Sequence, residues 1–317
     1  MKSVEALRVI ELMNMTSVYM GTDAETRGKE IRWKQHEIAR PRELDAYHEL
    51  DVYEKAGVPF STVQLRFGSD ELPSDGKAYQ LITKHISDAV CEGLECGDAV
   101  LVVGGTCVCA PGVAGGVRRA FGKDAKIGMI WLDAHGDIQT PATTTSGMVG
   151  GMPYAVTLGQ CMPEWSEVCG LTPPIDDRLA ILADARNLDP EEIDNLKSMN
   201  LTVVPTDAYT DGSKWQGLVQ TLAEKIDVLH FHIDADIVDK SFVPDHPTAE
   251  PNGPSLEQVL QSIGTVMATN VVSIVSLASV YFDLETLGGK RAAGPERSIQ
   301  SGVEMVSTIL QNWKAKA

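Results

Sequence analysis

The sequence predicts an α/β fold, a mostly parallel β-sheet covered by helices on both faces. Two observations carry this. Short apolar runs alternate with amphipathic segments of helical period along most of the chain, the order that builds a parallel sheet from crossover units. The runs are also apolar at every position, as strands buried on both faces must be. The 317 residues are enough for one large domain of this kind, so a single domain over residues 1–317 is expected.

Residues 81–96 carry Ile82, Ile86, Val90 and Leu94 at helical spacing. A buried strand follows at 99–103 and closes on Gly104-Gly105. Residues 113–121 read as a helix, and 127–132 as a second buried strand running into Asp133-Ala134-His135. The pattern repeats with a strand at 179–183, a helix at 189–198 that opens on Asp-Pro-Glu-Glu, and a strand at 201–204. Then come a helix at 217–226, a strand at 228–233, a helix at 255–268 with Ser255 as N-cap, a strand at 271–277 and a helix at 298–313. The first roughly 75 residues show little periodicity, and Arg40-Pro41 and Gly57-Val58-Pro59 mark loops.

A formal net charge of −17 repels nucleic acid and anionic membrane, so neither is an expected partner. The same charge keeps a protein soluble and would steer a cationic small molecule inward. The N-terminus has no basic start followed by a long apolar run, so no signal peptide or membrane span is expected. Without a secretion signal, the six cysteines read as reduced thiols, and the cytoplasm is the expected compartment. Neither Gly104-Gly105 nor residues 112–116 have the spacing of a phosphate loop or dinucleotide fingerprint, which weighs against a nucleotide-binding protein.

In a parallel sheet, ligands bind beyond the carboxyl ends of the strands. Two acidic clusters stand there. Asp133, His135 and Asp137 follow the strand at 127–132 at alternate positions, which in extended backbone share one side. His230, His232, Asp234 and Asp236 repeat the arrangement after the strand at 228–233. One such run alone could equally be a helix cap or a surface loop. Two in the same topological position point to bound divalent cations, which relieve the repulsion between buried carboxylates. A two-metal site activates water as a nucleophile.

These residues also carry a resemblance. The run from Trp131 to Pro141, continued by Thr143-Thr144-Thr145-Ser146-Gly147 and Gly151-Met152-Pro153, resembles the second metal signature of ureohydrolases, the arginase and agmatinase family, and arginases in particular. Asp234-Ala235-Asp236-Ile237-Val238-Asp239, with Phe242, Pro244, Thr248 and Gly253, is similar to the third signature. Gly104-Gly105-Thr106-Cys107 falls where the first should be. The resemblance implies a three-layer α/β/α arginase-like fold, two Mn²⁺ per chain, hydrolysis of a C–N bond in a guanidino-type small molecule, and a homo-oligomer, trimer or hexamer. It implies metal ligation by Cys107, Asp133, His135, Asp137, Asp234 and Asp236, a catalytic role for Asp137, and substrate contacts from Ser146, Asp189, Glu192 and Thr248.

Four departures from the pattern matter. Cys107 stands where the family has a His, a softer donor that opens the site to Zn²⁺ or Fe²⁺. Gly150 stands at the position of a proton-shuttling His. Leu277, Ala278, Ser279, Val280 and Tyr281 offer no carboxylate where the family pairs a Glu with the guanidinium. Gln139 and Met148 replace two Asn of the loop that meets an amino-acid substrate. The expectation is therefore a metal-dependent hydrolase of a guanidino, amidino or ureido compound, not an ordinary arginase. The alternative is a non-catalytic arginase-like protein that acts as a binding or partner subunit. His232 and His246 remain as spare proton carriers.

Overall fold

The computed structural model describes residues 5–13, 15–20, 22–23, 25–26, 30–36, 42–68, 71, 77–281 and 295–314, so the loop expected at Arg40-Pro41 lies outside them. The strands are β1 (Leu7–Leu12), β2 (Met15–Met20), β3 (Glu30–His36), β4 (Phe60–Leu65), β5 (Ala99–Gly104), β6 (Ile127–His135), β7 (Ala180–Asn187), β8 (Thr202–Val204), β9 (Val228–Asp234) and β10 (Val272–Ala278). Eight of them form one sheet in the order β4-β1-β5-β10-β9-β6-β7-β8, parallel throughout. β2 and β3 pair separately as an antiparallel ribbon.

The central strands are apolar because both of their faces are covered. Every residue of β5 and β9 is buried, as are Ile127 to Ala134 of β6. Alternate residues feed opposite cores. Val100, Val102, Met129 and Trp131 join the layer under the helices Ala78–Glu95 and Ala110–Phe121. Leu101, Val103, Ile130 and Leu132 join the layer under Leu256–Met267 and Pro295–Lys314. The three-layer α/β/α expectation is met.

Differences from the expected elements are local. β1 and β4 fall in the stretch without clear periodicity. β1 reads as no apolar run because Arg8 and Glu11 interrupt it, and β4 is a half-exposed edge strand. The helix expected at 217–226 spans Gly212–Ala223, because the Asp211 side chain accepts the Ser213 and Lys214 amides and starts it earlier. No helix among the described residues is long and apolar enough to cross a membrane.

The strand order positions the site. The chain leaves β5, passes over the places of β10 and β9, and enters the sheet again at β6. Crossovers diverge at such a point, and a crevice opens beyond the carboxyl ends of the strands.

Candidate metal centre

β6 and β9 are hydrogen-bonded neighbours whose last paired residues are Leu132 and Ile233, so Asp133 and Asp234 stand next to each other just beyond that pairing. The end of β5 turns through Gly104 at φ +83°, where a Cβ would lie 2.7 Å from the Leu12 carbonyl oxygen. Only glycine fits there. The turn delivers Cys107 at the start of a short 3₁₀ helix, Cys107–Cys109, above the same crevice.

Three groups of potential ligands result: Cys107, Asp133 and Asp234; Asp133, His135 and Asp236; and Asp234, Asp236 and His246. Within each group the ligand atoms lie within 4.8 Å of one another. Asp133, Asp234 and Asp236 belong to two groups each and join the three into one centre. The four aspartates of the two motifs, 133, 137, 234 and 236, are buried.

The expected alternation along each strand end holds only in part. β6 becomes irregular between Asp133 and His135, and Asp137 adopts φ +47°. Asp137 therefore stands outside the three close groups, although its charge acts on Cys107. β9 ends at Asp234, whose side chain accepts the Asp236 amide at 2.9 Å and closes a 3₁₀ turn. That turn brings Asp236 to within 3.0 Å of His135 Nδ1. His230 and His232, expected on the face of Asp234, instead meet Ser276 of β10, and His232 also meets Cys107.

Neighbouring residues hold the donors in place. Asp133 Oδ1 accepts the His135 amide at 2.7 Å, and Oδ2 accepts Trp131 Nε1–H at 3.0 Å. His246 Nδ1 lies 3.2 Å from both the amide nitrogen and the hydroxyl of Thr248, which aims Nε2 at Asp234 (3.4 Å) and Asp236 (3.8 Å). Glu250 Oε1 sits 3.7 Å from His135 Nε2 and accepts Asn187 Nδ2–H at 2.6 Å. A carboxylate on the far nitrogen orients an imidazole donor. Arg186 clamps the loop that carries these groups. It donates to the carbonyls of Asp236, Ile237, Val238, Glu250 and Pro251 and pairs with buried Asp184. Gly253 belongs to this clamp, since a Cβ there would lie 2.6 Å from Arg186.

The proposed substrate residues lie on the adjoining loops. Asp189 Oδ2 accepts from Gln139 Nε2 and Thr145 Oγ1 at 3.1 and 3.0 Å. Glu192 spends one oxygen on the Ile138 amide and the other on the Asp189 amide, the latter as part of a capping box. Exposed Ser146 accepts the Met148 amide, and Thr248 serves His246.

The electrostatics reflect carboxylates crowded out of water. Burial, and then the charges of Asp236 and Asp234, push the Asp133 carboxyl well above its usual range. Burial and Asp133 do the same to Asp137. Burial and the charges of Asp234, Asp137 and Asp133 raise the Cys107 thiol. Burial opposes ionisation of Asp234 as well, but His246 outweighs it and holds that carboxyl low. His135, against its own burial, is raised to about 12 by hydrogen bonds to Asp133 and Asp236.

Among the described ion pairs, only His135 and His246 reach these aspartates. Two imidazoles do not balance four buried carboxylates. The donor set, carboxylate oxygen with imidazole nitrogen and one sulfur, fits a divalent pair.

Comparison with known proteins agrees. The sequence profile described as the arginase family matches residues 17–280. An arginase from Bacillus caldovelox is 27% identical over 205 residues, 63% of this chain and 67% of that protein. Human arginase-1 is 26% identical over 239 residues, 73% of each chain. Among solved structures, the arginase of Bacillus subtilis superposes with a TM-score of 0.77 at 21% identity, covering 96% of this chain and 98% of that one. The formimidoylglutamase of the same organism gives 0.68 at 12% identity, covering 98% and 88%.

Proposed function

The chain belongs to the arginase family, and from that premise we propose that it is a metal-dependent hydrolase acting on a C–N bond of an amidine, a modified guanidine or a ureido compound rather than on free arginine. The observation that carries this is the convergence of Asp133, Asp234 and Asp236 with His135, His246 and Cys107 into one buried centre. A bound divalent pair supplies Lewis-acid polarisation and activates water at neutral pH.

The chain's own residues do the rest. Asp133 and Asp234, which group with Cys107 and each with one imidazole, would help hold both ions. His135 and Asp236 would hold the outer ion, and Cys107 the inner one. His246 adds an imidazole that Cys107 does not supply. Asp137, at the rim, would ligate and also accept the proton of the attacking water. Ser146, Asp189, Glu192 and Thr248 would meet the substrate; Glu192 is engaged by two backbone amides and Asp189 by the side chains of Gln139 and Thr145.

Substrate choice follows from what faces the centre. Among the described residues at the end of β10, Leu277, Ala278, Ser279, Val280 and Tyr281 supply no anion to pair with a guanidinium. Gly150 supplies no proton carrier. A less basic group suits such a site. The same reading takes two ions per chain, Mn²⁺ first and Zn²⁺ or Fe²⁺ where sulfur ligates, and a trimeric or hexameric assembly in the cytoplasm.

The test is elemental mass spectrometry of the protein as isolated, followed by a screen of guanidines, amidines and ureides. Two metal ions per chain and turnover of a weakly basic substrate are expected. Metal-free protein that binds none on addition, or arginine turnover at rates ordinary for arginases, overturns the reading.

A further inference from the structure

Beneath the metal centre lies a hydrogen-bonded chain of buried side chains that the proposed reaction does not use. His230 Nε2 is 2.9 Å from Ser276 Oγ, Ser276 Oγ is 2.8 Å from His232 Nδ1, and His232 Nε2 is 3.4 Å from Cys107 Sγ. His230 and His232 are fully buried and Ser276 is 1% exposed. Trp131 packs on the His232 ring at 3.9 Å between centroids and fixes its plane.

The direction of donation along this chain is determined from both ends. A hydroxyl has one hydrogen to give, and a neutral imidazole has one N–H. At the outer end, Cys107 Sγ lies 2.8 Å from Asp234 Oδ2, so a thiol spends its one hydrogen on that carboxylate and a ligated sulfur has none to give. Sulfur has no second hydrogen, so it can only accept from His232 Nε2–H. His232 Nδ1 is then the acceptor for the Ser276 hydroxyl, and Ser276 Oγ accepts His230 Nε2–H.

At the inner end, His230 Nδ1 is buried without a hydrogen-bond partner among the described residues. In the direction just derived it is a lone pair. In the reverse direction it would be an orphaned N–H, the rarer and costlier state. Both ends select the same orientation, His230 to Ser276 to His232 to Cys107.

We propose that His230, Ser276 and His232 form a one-way relay that points an N–H at Cys107 and supports its sulfur as a ligand to a thiophilic divalent ion at the inner metal position. The inference rests on the reading of the centre as a metal site and deepens it. The cation takes the place of the thiol hydrogen between Sγ and Asp234, and the proton leaves to solvent. The sulfur left behind keeps one N–H donor. His232 and Ser276 are positioning residues, since neither lies among the ligand groups.

Cobalt(II) titration of the chelator-treated full chain tests this by absorption. The expected result is a sulfur-to-cobalt charge-transfer band in the near-ultraviolet that is absent in Cys107→Ser. In Ser276→Ala and His232→Phe the band persists but moves to lower energy, and cobalt binds about 10-fold or more weakly, the usual cost of removing an outer-shell partner. Ser276→Ala is the milder change and stands alone if His232→Phe does not fold. A band unchanged in energy and affinity in Ser276→Ala overturns the relay and leaves the metal centre intact. Two bound cobalt ions without any such band also overturn the relay, and remove Cys107 from the ligand set. Absence of cobalt binding altogether defeats the metal-centre reading itself.

Discussion

Removing metal should cost this protein stability, and Asp234 should be the residue through which the cost is felt. Two ionised carboxylates whose oxygens lie within 4.8 Å repel by about 3 kcal/mol at an effective dielectric near 20. Asp133 and Asp234 are such a pair, and in the metal-free protein burial and the neighbouring carboxylates favour a proton on Asp133. A cation at about 100 times its dissociation constant stabilises by about 2.7 kcal/mol, close to that repulsion. For a chain of this size, about 2 °C of Tm per kcal/mol turns this into a rise of about 5 °C. The assay is differential scanning fluorimetry of chelator-treated protein, with and without Mn²⁺ or Zn²⁺. In Asp234→Asn the amide oxygen can still accept the Asp236 amide, so the metal-free Tm should stay within about 2 °C of wild type, while the metal-induced rise disappears because two ligand groups lose their shared member. A full metal-induced rise in Asp234→Asn, or none in wild type, refutes the reasoning.

Other consequences follow from residues around the centre. Arg186→Lys replaces a guanidinium that spans five carbonyls and weakens the pairing of buried Asp184, so we expect a loss of about 3 kcal/mol or more in urea unfolding and metal affinity about 10-fold lower or worse by titration calorimetry. Gly150→His should be tolerated, because a Cβ there meets only the flexible end of Met148 at 3.1 Å and the backbone is not left-handed; turnover of the preferred substrate should rise about a hundredfold, the low end for acid–base catalysis, and a fall would show that position 150 does not face the reacting atoms. Glu43 supplies the pH prediction. Burial raises its carboxyl to about 8, so folding takes up a proton, and stability from this group is complete at low pH and is lost as pH rises from about 4.5 to about 8. Glu43→Gln should flatten that slope in denaturation measured across the window, with a gain on the order of a few kcal/mol at pH 8; an unchanged slope contradicts the assignment.

Much of the centre was visible in one dimension because its chemistry is local. Asp133 and Asp234 each end an apolar run, and the runs are apolar because β6 and β9 are covered on both faces. The departures at Cys107 and Gly150 were also legible, since each sits inside a run that otherwise keeps its pattern. His246, legible only as a spare proton carrier, and Glu250 gave no sign of belonging to the centre, because a loop between Pro244 and Gly253 has no period from which to read direction. Nothing in the neighbours of Arg186 announces that its partners are carbonyls some 50 residues away. β1 and β4 were missed because edge position and the buried polar Glu11 break the apolar signature that central strands carry.

Sequence alone determined the layered α/β fold, the strand ends at which the acids gather, and the donors that lie in the motifs there, because burial on two faces and ligand chemistry are properties of short segments. Tertiary structure decided which donors meet. A turn at Asp234 sends Asp236 to His135, a positive φ holds Asp137 at the rim, and the pairing of β10 beside β9 sets Ser276 between two histidines and so aims one of them at Cys107. Those outcomes depend on strand order and loop direction, which arise only when distant segments pack together.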